Sequence, residues 1–305
     1  MKATRLLFGW SFILSLFIAC SAAGVPPFSD DFNDGNDDGW IHYEPLAGLA
    51  AGGVGTWSFP TGAYRLQATA ALAPAQTGPA RVGSYRTNIF AEFEVRMDLV
   101  HWPTNLDQLF GVTSRIREPG RGTTDGYAFA FETRIGRQPT GRLQILRLLN
   151  EGSTVLASAD LNLIPGNRYR FVFTGLLSQL KGQLFDVTNT AVAVATLMAT
   201  DTTYTTGTAG LFIYDTGTGG NHSVDFTIDN FSAAPPSPKL NITTDGPTET
   251  VFVTWPAWAA GFALEASTDL VTWDPVDFDV VLNGDVFVHT GNTFYERRFY
   301  RLVSE

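Results

Sequence analysis

Turn-forming residues divide the chain into short segments in which apolar and polar residues alternate, and this pattern constrains the fold more than any other feature. Phe93, Val95 and Met97, for example, alternate with Glu94 and Arg96. Alternation with a period of two places successive side chains on opposite faces of a β-strand. Gly-Pro, Pro-Gly and Thr-Gly clusters separate these segments, and no window of helical length combines a period of 3.6 with an N-terminal cap. The sequence therefore predicts an all-β protein.

The segment from residue 28 to residue 233 carries most of the predicted strands. These strands are 64–68, 89–97, 108–115, 126–133, 142–149, 154–160, 169–174, 179–186, 191–196, 209–214 and 224–231. About a dozen strands in about two hundred residues, with almost no helix, indicate a two-sheet jelly-roll sandwich. We therefore predict that residues 28–233 form one jelly-roll domain.

A proline-rich segment follows this domain. Residues 234–239 contain three prolines, which favour an extended, semi-rigid linker. Residues 240–305 show further short alternating segments, so we predict a small second β domain.

The N-terminus has the features of an export signal. Lys2 and Arg5 precede an apolar run that ends at Ala19, and small residues follow it. Cleavage after Ala23 would remove residues 1–23 and release a secreted protein. Alternatively, residues 17–20 resemble a bacterial lipobox, in which Cys20 becomes lipidated and anchors the protein to a membrane. Both routes predict an extracellular or cell-envelope location, and the mature chain cannot form an intramolecular disulfide because Cys20 is its only cysteine.

Several motifs in the larger domain resemble the laminin-G-like, or concanavalin-like, jelly rolls of bacterial exported proteins. They are Asp-Asp-Phe-Asn-Asp-Gly at 30–35, Gly-Tyr-Ala-Phe at 126–129, residues 165–171, residues 207–213 and Ile-Asp-Asn-Phe at 228–231. The resemblance implies that the first and last strands lie side by side. It also implies a structural Ca²⁺ ion where these strands meet, with Asp31 and Asp229 at the matching positions. The pattern of residues 251–302 resembles a short Ig-like or fibronectin-III-like module, which implies a spacer.

Signatures of catalysis are sparse. The four histidines are scattered, and the sequence lacks a Gly-x-Ser-x-Gly motif. Glu92 and Glu94 are the nearest match to the paired carboxylates of a glycosidase. On one strand face they would lie about 6–7 Å apart, within the range of such pairs.

A binding function is the better prediction. The net charge of −10 argues against nucleic acid as a partner. Jelly rolls of the type that this chain resembles bind sugars through aromatic rings and planar polar groups, so we expect a polysaccharide or glycan as partner. The candidate ligand contacts are Trp102, Arg115, Tyr127, Glu132 and Arg147. The predicted function is an exported, non-catalytic carbohydrate-binding or adhesive protein. The alternatives are a polysaccharide hydrolase or lyase, and a matrix component that binds another protein.

Overall fold

The computed structural model describes residues 26–47, 54–69, 80–216, 222–245, 248–276, 278–292 and 297–304. The described residues up to Ser237 and those from Pro238 onward form two compact units. The predicted leader, including Cys20, lies outside the described residues. Within the described residues, no helix is long and apolar enough to cross a membrane.

The first unit contains fifteen strands. They are β1 (Phe28–Asp30), β2 (Ile41–Tyr43), β3 (Val54–Ser58), β4 (Tyr64–Thr69), β5 (Arg81–Phe90), β6 (Phe93–His101), β7 (Gln108–Arg117), β8 (Asp125–Thr133), β9 (Gly141–Leu149), β10 (Gly152–Leu161), β11 (Tyr169–Leu176), β12 (Gln179–Asp186), β13 (Asn189–Thr200), β14 (Gly207–Asp215) and β15 (Ser223–Ala234).

These strands form two antiparallel sheets. The first sheet has eight strands in the order β13-β12-β11-β6-β15-β4-β3, with β1 also paired to β15. The second sheet has seven strands in the order β10-β9-β8-β7-β14-β5-β2. The predicted all-β, two-sheet jelly-roll sandwich is confirmed.

The main core lies between the two sheets and is rich in aromatic rings. Phe110 of the second sheet stacks on Phe226 of the first with 5.3 Å between ring centres. Phe129 contacts Phe171 and Phe173 at 5.5 and 5.9 Å in the same way. Such rings bury large apolar areas, and their contacts hold the sheets face to face.

The two ends of the first unit meet. Phe28 and Asp30 of β1 lie opposite Ala233 and Phe231 of β15, so the predicted contact between the first and last strands is confirmed. Just beyond β1, the buried ring of Trp40 donates a hydrogen bond from Nε1 to Asp30 Oδ2 at 2.8 Å.

One predicted strand is divided in two. The segment 89–97 spans the end of β5 at Phe90 and the start of β6 at Phe93, because Ala91 and Glu92 form a bend between them. Alternation continues across this bend, so the sequence pattern does not show it. The predicted burial of Phe93, Val95 and Met97 is confirmed, since all three side chains are fully buried.

The second unit also consists of strands. They are β16 (Asn241–Asp245), β17 (Thr250–Pro256), β18 (Phe262–Ser267), β19 (Asp274–Pro275), β20 (Val280–Asn283), β21 (Val286–Asn292) and β22 (Phe299–Ser304). They form a four-stranded sheet, β16-β17-β21-β20, and a three-stranded sheet, β19-β18-β22. Trp255 is buried in its core and stacks on Phe287 at 5.5 Å. The Ig-like or fibronectin-III-like character of this unit stays a prediction.

Candidate functional site

The second sheet has an unusual outer face, meaning the face turned away from the main core. Strand register places small residues next to one another across β5, β7, β8 and β14. These are Gly83, Gly111, Ala128, Ala130 and Gly210. A Cβ atom on Gly111 would lie 2.1 Å from the Phe129 carbonyl oxygen, so no larger residue fits there. All five small residues are buried within this face.

Larger apolar side chains on the same face pack against these small residues. Leu109, Leu146, Leu148, Phe212 and Tyr214 belong to a cluster that is separate from the main core. Because Phe212 alternates with Leu211 and Ile213 of the main core, β14 is apolar on both faces. The outer cluster thus lies where a solvated sheet would normally carry polar residues.

Between these side chains lies a groove of about 250 Å³. Its lining includes Tyr43 and Tyr85 as well as Leu109, Leu146 and Phe212. Rings and aliphatic side chains form most of it, and a few polar groups lie at one end. Apolar walls with a few placed polar groups are typical of small-molecule sites.

The polar end of the groove is organised around Glu151. Arg81 Nη1 lies 2.7 Å from Glu151 Oε1, and the Tyr43 hydroxyl donates to the same oxygen at 2.7 Å. The backbone N–H of Gly122 donates to Glu151 Oε2 at 2.8 Å. The Arg81 guanidinium also lies 5.0 Å from the centre of the Tyr214 ring, in cation–π geometry. One carboxylate therefore joins β2, β5 and the loop between β7 and β8.

The backbone at Glu151 is strained. Asn150 and Glu151 form the two-residue turn between β9 and β10, with φ angles of 50° and 66°. This left-handed conformation is unfavourable for residues other than glycine. Hydrogen bonds hold the turn in place: Glu151 N–H donates to the Thr124 carbonyl, and Asn150 N–H donates to Asp125 Oδ1, both at 2.8 Å.

The environment of Glu151 favours its charged form. Burial by itself would raise the pKa of Glu151, but hydrogen bonds from Tyr43 and Gly122 and the charge of Arg81 outweigh it and lower the pKa. Burial raises the pKa of the Tyr43 phenol, and the adjacent Glu151 carboxylate raises it further. The end of the groove therefore carries an ionised Glu151, a cationic Arg81 and a neutral Tyr43.

Three of the predicted ligand contacts lie in the interior instead. Trp102 and Tyr127 are members of the main core, and the Tyr127 hydroxyl donates to Asp201 at 2.6 Å. Arg115 is 1% exposed and donates to the carbonyl oxygens of Ala91, Leu177 and Tyr204 at 2.8–3.0 Å. Arg115 and Tyr127 therefore have almost no surface for a ligand, whereas Trp102, which is 5% exposed, lines a second cavity with Thr104 and Phe131. An Arg at a strand position can face inward when backbone carbonyls satisfy its donors.

The other two predicted contacts remain near the surface. Glu132 lies on the outer face of the second sheet, where it accepts hydrogen bonds from Arg134 at 3.3 Å and Gln144 at 3.0 Å. Arg147 lies opposite Tyr127 and pairs with Asp201 at 3.0 Å. Neither side chain lines the groove.

The predicted carboxylate pair is not on a shared strand face. Glu92 lies in the bend before β6, where it accepts the Leu177 N–H at 2.7 Å and lies 3.6 Å from Arg115. Glu94 lies on β6 of the first sheet and pairs with Arg96. The bend between β5 and β6 removes the spacing on which the catalytic prediction depended.

The carboxylates predicted to hold calcium have other partners. Asp31 accepts the N–H of Asn33 at 3.2 Å, and Asp229 pairs with Arg168 at 2.7 Å. Among the described residues, no group of three or more His, Cys, Asp or Glu side chains could hold a metal ion. Calcium also takes backbone carbonyls and water as ligands, so the calcium site at Asp31 and Asp229 stays a prediction.

The sequence did not identify the groove, whose residues come from distant segments. Tyr43 and Glu151, for example, are 108 positions apart. The continuous apolar run from Leu211 to Tyr214 was the available signal, because a strand that is apolar on both faces must cover something on each side.

Solved structures share this fold at low sequence identity. A native glycosidic hydrolase aligns with a TM-score of 0.51 at 11% identity, covering 70% of this chain and 97% of its own. The carbohydrate-binding module CBM66 from Bacillus subtilis aligns with a TM-score of 0.46 at 14% identity, covering 65% and 97%. The lectin UEA-II complexed with galactose gives 0.45 at 12% identity, covering 69% and 99%. No family profile and no curated protein matches the sequence.

Proposed function

We propose that this protein is an exported, non-catalytic carbohydrate-binding protein that holds a glycan in the groove of the second sheet. The observation that carries this proposal is the apolar cluster on an outer sheet face, joined to a hydrogen-bonding end at Tyr43, Arg81 and Glu151. Sugars present apolar ring faces and hydroxyl edges, which match rings and planar polar groups respectively. A glycosidic hydrolase, a carbohydrate-binding module and a lectin complexed with galactose are among the solved structures that align with this chain.

The described residues that line the groove include one carboxylate, Glu151, and this favours binding over hydrolysis there. Glu132 lies opposite Arg142 on β9, whereas Glu151 follows the other end of that strand. At roughly 3.3 Å per residue, the seven steps from Arg142 to Leu149 alone span about 23 Å, so Glu132 and Glu151 lie at distant ends of β9. Glycosidases need their two carboxylates about 5–9.5 Å apart. A hydrolase or lyase is therefore the weaker alternative.

Export is part of the proposal and is supported by the leader described above. Intact-mass measurement of protein recovered from a bacterial host tests it. Cleavage after Ala23 supports free secretion, a diacylglyceryl group on Cys20 supports a lipoprotein, and an uncleaved chain in the cytoplasm contradicts both.

A glycan array with the full chain tests the binding function. We expect binding to a subset of glycans, with no release of reducing sugar from those that bind. Silence across the array would overturn the proposal and favour the alternative of a matrix component that binds another protein. Cleavage of a bound glycan would favour the hydrolase or lyase.

A further inference from the structure

We propose that Glu151 sets the charge preference of the groove, so that it accepts neutral glycans and excludes those that carry uronate or sulfate groups. This inference rests on the proposed glycan-binding function of the same groove. It adds a class of ligand and the residue that selects it.

The first observation is that the charges of the groove cancel within the protein. Of the described residues that line the groove, Arg81 and Glu151 are the charged ones, and they pair with each other. Their side chains are 21% and 15% exposed, so both reach the groove and neither is fully solvated. Arg81, the cation that could otherwise bind an acidic sugar, is already paired with Glu151.

The second observation is that Glu151 is held from several directions. Its carboxylate accepts hydrogen bonds from the Tyr43 hydroxyl and the Gly122 N–H as well as contacting Arg81. Its backbone N–H donates to the Thr124 carbonyl, within a turn whose φ of 66° fixes the direction of the side chain. An incoming anion cannot displace a carboxylate that so many donors retain.

The consequence is like-charge repulsion at the place where an acidic ligand would bind. A uronate near Arg81 would lie beside the ionised Glu151, and in a partly buried site this repulsion is weakly screened. A sugar hydroxyl meets no such cost, because it can accept from Arg81 and donate to Glu151. The pair therefore serves neutral sugars and disfavours acidic ones.

The variant Glu151→Gln tests this selection. Gln keeps the length of the side chain and one oxygen that can accept from the Gly122 N–H, while its NH2 group can donate to the Tyr43 hydroxyl, but it leaves Arg81 without a carboxylate. The probes are neutral hexose oligosaccharides that bind on the array and the same oligosaccharides oxidised to carboxylates at C6. We expect the ratio of acidic to neutral affinity to rise at least tenfold in Glu151→Gln, and this gain to shrink as salt increases.

Two further variants complete the test. The double variant Glu151→Gln/Arg81→Gln should lose the gain, because the cation that the gain requires is absent. Glu94→Gln makes the same change in an Arg-paired Glu on the first sheet, and its ratio should equal that of the wild type. If Glu151→Gln does not fold, Arg81→Gln alone should lower the ratio further, because it leaves the carboxylate uncompensated.

The outcomes separate this inference from the proposed function. Wild-type protein that binds acidic and neutral forms equally well, or a Glu151→Gln ratio equal to the wild-type ratio, overturns the inference and leaves glycan binding standing. Failure of both proteins to bind either form overturns both proposals.

Discussion

The two outer faces of the jelly roll belong to sheets of similar size, and both carry Arg–carboxylate pairs, but the second sheet also has an apolar cluster. On the first sheet there are Arg–carboxylate pairs, one of them within β6 and the others between different segments of the chain. They are Arg65–Asp225, Arg96–Glu94, Arg168–Asp229 and Arg170–Asp98. On the second sheet, Arg134–Glu132 and Arg142–Asp160 pair away from the groove, and rings, aliphatic side chains and the Arg81–Glu151 pair line the groove.

This difference indicates which of the two faces binds a ligand. A sheet face whose charges are paired across strands is satisfied by its own side chains and water. The apolar cluster of the second sheet is separate from the main core, and its partly buried members Leu148, Phe212 and Tyr214 line a groove that is open to a ligand. We therefore expect the ion pairs of the first face to stabilise the fold and the groove of the second face to bind the ligand.

The largest expected effect is on the stability of the first face. Asp98 is 2% exposed and accepts two hydrogen bonds from Arg170, at 2.7 and 2.8 Å, and one from Asn230 at 3.2 Å. Asp98→Asn removes the charge that compensates Arg170, and we expect the free energy of unfolding to fall by about 2–3 kcal/mol. Denaturant titration measures this loss. The glycan affinity of the folded variant should equal that of the wild type. A loss of affinity without a loss of stability would indicate that glycans bind to the first sheet, and would contradict the proposed site.

The next effect concerns binding on the second face. Phe212→Ala removes a half-buried ring from the groove, and we expect glycan affinity to fall about tenfold, which corresponds to roughly 1.4 kcal/mol. Calorimetric titration gives the dissociation constant. Phe185→Ala is the matched control, because Phe185 is half-buried and lies opposite Arg170 on the outer face of the first sheet. Equal losses in the two variants would remove the distinction between the faces.

A smaller effect concerns pH. The pKa of Glu151 is lower in the folded protein than the value of about 4.3 expected when unfolded. The unfolded chain therefore takes up the proton first as pH falls, so the stabilisation is complete above about pH 4.3 and is lost as pH falls through the folded pKa. Melting temperatures between pH 7 and pH 3 should drop less in Glu151→Gln than in the wild type. Parallel curves would show that the groove pair contributes nothing to stability.

The smallest effect concerns calcium. Because Asp229 already pairs with Arg168 near the surface, we expect EDTA and added Ca²⁺ to leave the melting temperature unchanged within about two degrees. A rise of several degrees with Ca²⁺ that disappears in Asp229→Asn would instead support the calcium site that the sequence resemblance implied. Asp31→Asn should then have the same effect.

The sequence predicted the sheets better than the faces. The pattern at Phe93, Val95 and Met97 identified a buried strand face, because alternation reports burial directly. Alternation fails in β7 and β8, where nearly every residue is buried, and so the inward direction of Arg115 and Tyr127 was not visible. Their polar atoms are satisfied by distant carbonyls and by Asp201, which only the folded chain brings near.

The groove depends on register, which the sequence does not display. Phe212 lies between Gly83 and Gly111 because β14 pairs with both β5 and β7. A shift of β14 by one residue would turn Phe212 to the other face of the sheet and remove it from the groove. Strand identities alone therefore predict a sandwich, and the site follows only once the strands are aligned.

Hydrogen exchange with and without a glycan that binds on the array tests the central claim most directly. We expect that glycan binding slows amide exchange in the turn between β9 and β10 and in the loop 118–124, which border the groove. Exchange in β15 and in the second unit should not change. Protection confined to the first sheet or to residues 240–304 would contradict this claim.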